Sequence, residues 1–287
     1  MDTSPPLPDY PPATWRLIID GEADIYQAQR DGASNMAVDE AILQAVIEGA
    51  SPPTLRFYAW SPPCLSLGRN QPAAEADRDA CQAAGVDLVR RPTGGRAILH
   101  TDELTYALAL PQDDPRATGD VVASYRRLSE GLLAGLQQLG VAAVQAVGPR
   151  LPAAELHAVC FETPSNYEIV VDGRKLVGSA QWRSRGGVLQ HGSLPLHGDL
   201  TRVVDYLTFS DEEREIRRRS LQGRALTLEA ATGHALPFSQ VAEALAAGFA
   251  EALNLTLTPG ALTDQERAWA ARLRRERYAD PAWTARS

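Results

Sequence analysis

Cysteine is scarce in this chain: three in 287 residues, at Cys64, Cys81 and Cys160. That is too few and too scattered for a disulfide framework, and it fits a reducing compartment, where a lone thiol is either structural or reactive. No run of about 18 or more apolar residues is present, which argues against a membrane-spanning helix. A basic excess is lacking as well. The balance of 28 Lys+Arg against 36 Asp+Glu gives −8, so bulk charge does not point to a nucleic-acid binder. The opening stretch, MDTSPPLPDYPPATW, has no basic region followed by an apolar one, so a secretory leader is not expected and a cytoplasmic location is. Its five prolines before Trp15 predict a flexible segment over residues 1–14. A single domain is then expected over 15–287, with a mostly helical part from about residue 200. There is no internal repeat, no phosphate-binding Gly-Lys-Ser/Thr loop and no dinucleotide fingerprint.

What is present is an ordinary globular composition, 44% hydrophobic and 22% charged. Ser34 to Glu48 reads as a helix capped by Ser34, with Ala41, Ile42, Ala45 and Val46 on one stripe. TLRFYAW and CLSLG read as strands around a Ser-Pro-Pro turn. A short helix over 75–84 ends at Gly85. VDLVRR and ELTYALAL follow as strands. Val121, Tyr125, Leu128, Leu132, Leu136 and Leu139 then recur at helical spacing. NYEIVV and RKLVGSAQWR flank Asp172-Gly173, a hairpin signal, and VLQHGSLPL forms a third strand. Residues 239–277 read as mostly helical. The meander predicts antiparallel pairing, so the class is α+β: a mixed, largely antiparallel sheet with flanking helices.

Three stretches are candidates for chemistry. In RRPTGGRAILH, a strand delivers Arg90 and Arg91 to Thr93, Gly94, Gly95, Arg96 and His100. Glycines there let backbone amides approach an anion or a carbonyl oxygen closely, although the same letters describe a tight turn with surface arginines. In CFETPSNYEIVVDGRKLVGSAQ, Cys160 precedes the hairpin and Lys175 follows its turn on an apolar strand. An inward lysine is costly unless it serves a partner, and an ammonium stabilises a thiolate, so the two make a sensible nucleophile and base. An inert buried thiol and a solvated lysine beside a turn fit the same spacing. In LQHGSLPL, His191 on a strand is either structural or functional. His157 and Cys160 have a spacing that begins a zinc site, but no second pair completes it, so no metal is expected. Ser179 lacks the flanking residues of a nucleophile elbow.

Taken in order, NMAVDEAIL, RRPTGGRAILH, CFETPSNYEI, GRKLVGSAQ and LQHGSLPL resemble the biotin/lipoate protein ligase family, and within it the cysteine-dependent octanoyltransferases. The resemblance runs from about Asn35 to about Leu196. It implies a sheet of the biotin protein ligase and class II synthetase kind. It implies an acyltransferase that moves an octanoyl group from acyl carrier protein, through a thioester on Cys160, to a lysine of a lipoyl-carrier protein such as glycine cleavage H protein. Lys175 matches the family's lysine at the acyl carbonyl. Arg90, Arg91, Thr93, Gly94, Gly95, Arg96, His100, Ser165, Gly178, Ser179, Gln181, His191 and Gly192 are the implied substrate-binding residues. No cofactor, nucleic acid or membrane is implied. ATP-dependent lipoate ligases share the loop and the lysine but usually carry Gly-Gly-Gly where Arg96 stands third here, and they need no cysteine. An amidotransferase using the same pair, or a silent acyl-binding protein, are the other readings. Arg90, Arg91, Arg183 and Arg185 are the candidates to dock an acidic carrier.

Overall fold

In a computed structural model, which describes residues 10–20, 30–146 and 168–286, Asp172 and Gly173 sit at φ 49° and 74°. Both positive values are what a two-residue hairpin turn with the right twist requires. The turn joins β8 to the longest strand, β9. In chain order the elements are β1 (Ala13–Asp20), α1 (Gly32–Ile47), β2 (Thr54–Tyr58), β3 (Cys64–Leu67), α2 (Arg78–Ala83), β4 (Asp87–Arg90), β5 (Ile98–His100), β6 (Glu103–Pro111), α3 (Val121–Gln138), β7 (Val144–Gln145), β8 (Ile169–Val171), β9 (Arg174–Ser184) and β10 (Gly187–Pro195). There follow α4 (Asp211–Arg224), α5 (Leu228–Thr232), α6 (Phe238–Ala252), β11 (Leu255–Pro259), α7 (Asp264–Leu273) and α8 (Pro281–Thr284).

The main sheet runs β11-β1-β2-β6-β10-β9-β8-β7, and a small one runs β4-β3-β5. Pairing is antiparallel from β2 through to β7 and parallel only at β1 with β11 and with β2, and at β3 with β4. The expected class, a mixed and largely antiparallel sheet with flanking helices, is therefore the observed one.

Two cores sandwich the main sheet. On one face Phe57, Tyr106, Leu108 and Val188 meet Leu128, Leu132 and Leu136 of α3 and Leu245 and Phe249 of α6. On the other, Tyr58, Ala107, Ala109 and Leu189 meet Met36, Ile42 and Val46 of α1, with Tyr278 beyond. Each Val, Leu, Ile, Phe or Met among them, taken from water, contributes about 1.5–3 kcal/mol.

Several local expectations shift. Asp31, not Ser34, caps α1, accepting from the Ser34 amide at 2.7 Å. β2 and β3 do not pair, because the Ser-Pro-Pro turn hands the chain from the large sheet to the small one. Val121, placed on the buried stripe of α3 by its spacing, is 49% exposed. The N-terminal boundary moves too. β1 begins at Ala13, Tyr10 is buried, and its carbonyl accepts from Asn254 Nδ2 at 2.7 Å. β11, inside the stretch expected to be helical, supplies the edge that pairs with β1.

Candidate active site

β9 carries a bulge. Ile169 pairs with Val177 while Val170 pairs with Lys175, so β9 spends one extra residue against β8. Leu176 and Val177 consequently both enter the core under α3 and α6. Period-two alternation resumed on either side places Lys175 on the opposite face, that of Gly178. Lys175 is 4% exposed, and its Nζ donates to Glu168 Oε1 at 2.5 Å. It is also the only lysine of the chain, every other long basic side chain being arginine. Glu168, which the sequence did not single out, brings a carboxylate to the buried ammonium.

On that face a cavity opens between the Gly-Gly loop, α1 and strands β6, β9 and β10. Its lining, apolar with a few polar groups, is of the kind that small-molecule sites have. Seven of the candidates border it: Arg91, Gly95, His100, Gly178, Ser179, His191 and Gly192. Met36, Tyr58, Trp60 and Ile98 supply its apolar side. At Gly192 any side chain is excluded, because a Cβ would lie 2.5 Å from Ser179 Oγ and 2.7 Å from the Gly178 carbonyl.

The two histidines are each held by a buried carboxylate. His191 Nδ1 faces Asp39 Oδ2 at 3.3 Å and its Nε2 faces Thr93 Oγ1 at 2.7 Å. Asp39 also accepts from Arg56 Nη1 (2.7 Å) and Tyr58 OH (2.8 Å). Burial would push the Asp39 carboxyl up, but His191 and Arg56 outweigh it and hold it below its ordinary value. Burial pulls His191 down in turn. His100 Nδ1 faces Glu103 Oε1 at 2.7 Å, its Nε2 faces Ser66 Oγ at 2.8 Å, and its ring stacks on Trp60 with centroids 4.0 Å apart. Glu103 accepts further bonds from Thr105 and Ser193. Burial raises its carboxyl, yet His100 and those hydroxyls bring it net below the usual range.

The remaining candidates stand back from the cavity, and Arg91, at its border, spends its guanidinium on the loop. Arg90, 1% exposed, gives its guanidinium to the carbonyls of Gly68, Arg69, Gln71 and Thr284. Arg91, 3% exposed, donates to the carbonyls of Ser66, Gly94 and Arg96. Buried arginines that tie down carbonyls build the loop and cannot present a docking surface, so that expectation is corrected for both. Arg183 likewise caps carbonyls of Ala117, Gly119 and Asp120 ahead of α3, whereas Arg185 is exposed at a turn. Thr93 reaches the cavity through His191. Gly94 is exposed, Arg96 pairs with Glu75 at 3.5 Å, and Gln181 lies on the α3 face, bonded to Gln190 and Ser124. Cys160, Ser165 and His157 lie outside the described residues. Among the described residues no group of three or more His, Cys, Asp or Glu is placed to hold a metal ion, and no helix is long and apolar enough to cross a membrane.

Asp39, Ser66, Glu103, Thr105 and Glu168 are the contributors that sequence reasoning passed over. The available signal was an acid inside or beside an otherwise apolar element, as in NMAVDEAIL, ELTYALAL and NYEIVV, where a buried charge needs a partner.

Comparison with known proteins fits this geometry. Residues 31–250 match the family model described as lipoyl protein ligase A/B catalytic domain. Octanoyltransferase LipM of Kyrpidia tusciae is 46% identical over 273 residues, covering 93% of this chain and 97% of the relative. Octanoyltransferase LipM of Symbiobacterium thermophilum is 42% identical over 280 residues, covering 95% and 98%. Among solved structures, a chain of an archaeal lipoylation system from Thermoplasma acidophilum, a bi-partite lipoate protein ligase and its E2 lipoyl domain, superposes with a TM-score of 0.76 at 23% identity, covering 96% of each chain. A lipoate-protein ligase A bound with ATP gives 0.76 at 23% identity, covering 96% and 98%. At those identities the solved structures speak to the fold.

Proposed function

The chain belongs to the lipoyl protein ligase A/B catalytic domain family, and we propose that it is an octanoyltransferase of protein lipoylation, acting in the cytoplasm. The observation that carries this reading is 46% and 42% identity, over nearly the full length, to enzymes of that name. The cavity, bordered by seven of the candidate residues, supports it. The donor is octanoyl acyl carrier protein and the acceptor a lysine of a lipoyl-domain protein, glycine cleavage H protein being one of that kind.

Cys160 attacks the donor thioester, the pantetheine thiol departs, and the acceptor amine then takes the acyl group from Cys160. Two thioester-level transfers replace one difficult one. Lys175 holds the acyl carbonyl and the oxyanion that forms on it. The apolar side made by Met36, Tyr58, Trp60 and Ile98 receives the eight-carbon tail. Each methylene is worth about 0.8 kcal/mol of burial, so discrimination between neighbouring chain lengths is modest.

Incubation with octanoyl carrier protein, read by intact mass, tests the proposal. The wild-type protein gains one octanoyl group that hydroxylamine removes, as it removes thioesters. Cys160→Ala gains none and melts at the same temperature. Because Lys175 is the only lysine, a hydroxylamine-stable adduct on a peptide containing it would identify amide formation in place of a thioester and overturn the assignment.

A further inference from the structure

Glu103, His100 and Ser66 stand in line at the edge of the cavity. The Glu103 carboxylate can only accept, so the neutral His100 ring carries its proton on Nδ1 and donates it to Glu103 Oε1 at 2.7 Å. Nε2 is then the acceptor for the Ser66 hydroxyl at 2.8 Å, while Ser66 Oγ accepts from Arg91 Nη1 at 3.0 Å. That is the chain of roles by which a carboxylate fixes a histidine tautomer and the histidine takes a proton from a hydroxyl. Three features argue against a merely structural knot. Ser66 and His100 both border the cavity. The Trp60 ring stacked on His100, and Trp60 Nε1 bonded to Thr105 at 2.8 Å, fix the ring plane. Glu103 is saturated by donors from Thr105 and Ser193, so it stays a carboxylate when His100 is charged.

We propose that Ser66, His100 and Glu103 form a proton relay for the acyl transfer, a role that rests on the octanoyltransferase reading. As the acceptor amine attacks, the N–C bond forms and the nitrogen sheds a proton to Ser66 Oγ, whose own hydrogen passes to His100 Nε2. The C–S bond then breaks and the proton returns by the same route to the departing thiolate, so none is gained or lost overall. Ser66 is the group that meets the substrate, His100 the proton store and Glu103 a positioning residue. The charged and titratable groups facing His100 are Glu103 on β6, Arg91 after β4, Cys64 on β3, His191 on β10 and, behind it, Asp39 on α1. Arg91 and His191 do not gain a proton near neutrality in this setting: one is already charged, and burial holds the other neutral. The Cys64 thiol is pushed well up by burial and stays protonated.

The test isolates the second half-reaction. Acyl-enzyme is formed, purified and mixed with a lipoyl-domain acceptor, and the single-turnover rate is followed across the pH range in which a histidine titrates. The relay requires a wild-type inflection that His100→Gln abolishes, with the rate falling roughly 10²- to 10⁴-fold. Ser66→Ala and Glu103→Gln fall between these limits, and added imidazole restores part of the rate to His100→Gly. A His100→Gln protein that is folded and acylated, keeps the inflection and reacts within a few-fold of wild type overturns the relay while leaving the transferase intact. A wild-type acyl-enzyme that transfers nothing overturns the octanoyltransferase reading and the relay with it.

Discussion

Lys175 is an ammonium with 5% of its side chain exposed, next to a Glu168 side chain exposed to the same degree. In a chain otherwise served by arginine, the group that can release a proton has been kept at one place. Lys175→Arg is therefore expected to fold but form no acyl-enzyme, since a guanidinium stays charged near neutral pH. Quench-flow measurement of the first half-reaction decides it, and a near-normal rate removes any proton-transfer role. Breaking a buried pair by neutralising one partner typically costs about 3–5 kcal/mol. Glu168→Gln should lower the unfolding free energy by something of that order in a urea titration; an unchanged midpoint would show that the pair adds no stability. Cys64 and Cys81 offer the opposite case. Burial pushes the first thiol well up and the second up to about 11, so neither supplies thiolate at neutral pH.

At the scale of elements, α3 and α6 cross on glycine. A Cβ at Gly248 would lie 2.1 Å from the Gly135 amide nitrogen, and one at Gly135 would lie 2.6 Å from Leu245 Cα. Both obstacles are backbone, which cannot rotate aside. Gly248→Val is therefore expected to separate the helices and cost several kcal/mol, far from the cavity. Thermal melting checks this, and a melting temperature within a degree or two of wild type would contradict the packing. The elements themselves were legible where the signal is local. The period of α3 and the Asp172-Gly173 turn are written in adjacent residues, and so is the alternation of β9 and β10. Strand β11, LTLTP, is short and follows a helix directly, so its identity depends on β1 lying alongside. The bulge that redirects Lys175 exists only as a mismatch between β8 and β9. The Asp39, Glu103 and Glu168 pairings come from strand register and the seating of α1, which no single stretch encodes. Motif resemblance brought out the cavity's histidines and glycines, whereas the clustering of arginines counted Arg90 and Arg91 as a docking surface when their guanidinium groups are spent on backbone carbonyls.

Taken as a whole, the molecule depends on buried carboxylates remaining ionised. Asp39, Glu103 and Glu266 are all held below their ordinary values although burial alone would raise them: Asp39 by His191 and Arg56, Glu103 by His100, and Glu266 by Arg16 with the Thr263 amide. The stability they contribute is fully present above the unfolded carboxylate values of about 4 and is lost as pH falls through the lower folded ones. His191 acts in the same direction, because burial depresses it and the unfolded chain binds its proton first, below about 6.5. Melting temperature is thus expected to decline once pH drops below that value and to fall steeply in the carboxylate range. A melting temperature that stays flat down to the carboxylate range would contradict the account of His191. The same whole-molecule view separates a transferase from a ligase, since the two differ in where the acyl group gets its transfer potential. A thioester donor already carries enough to acylate an amine; a free carboxylate does not. The most direct test runs two reactions in parallel on one lipoyl-domain acceptor, one with octanoyl carrier protein and no nucleotide, the other with free octanoate, magnesium and ATP. The account predicts octanoylated acceptor in the first and none in the second; product in the second alone would contradict it.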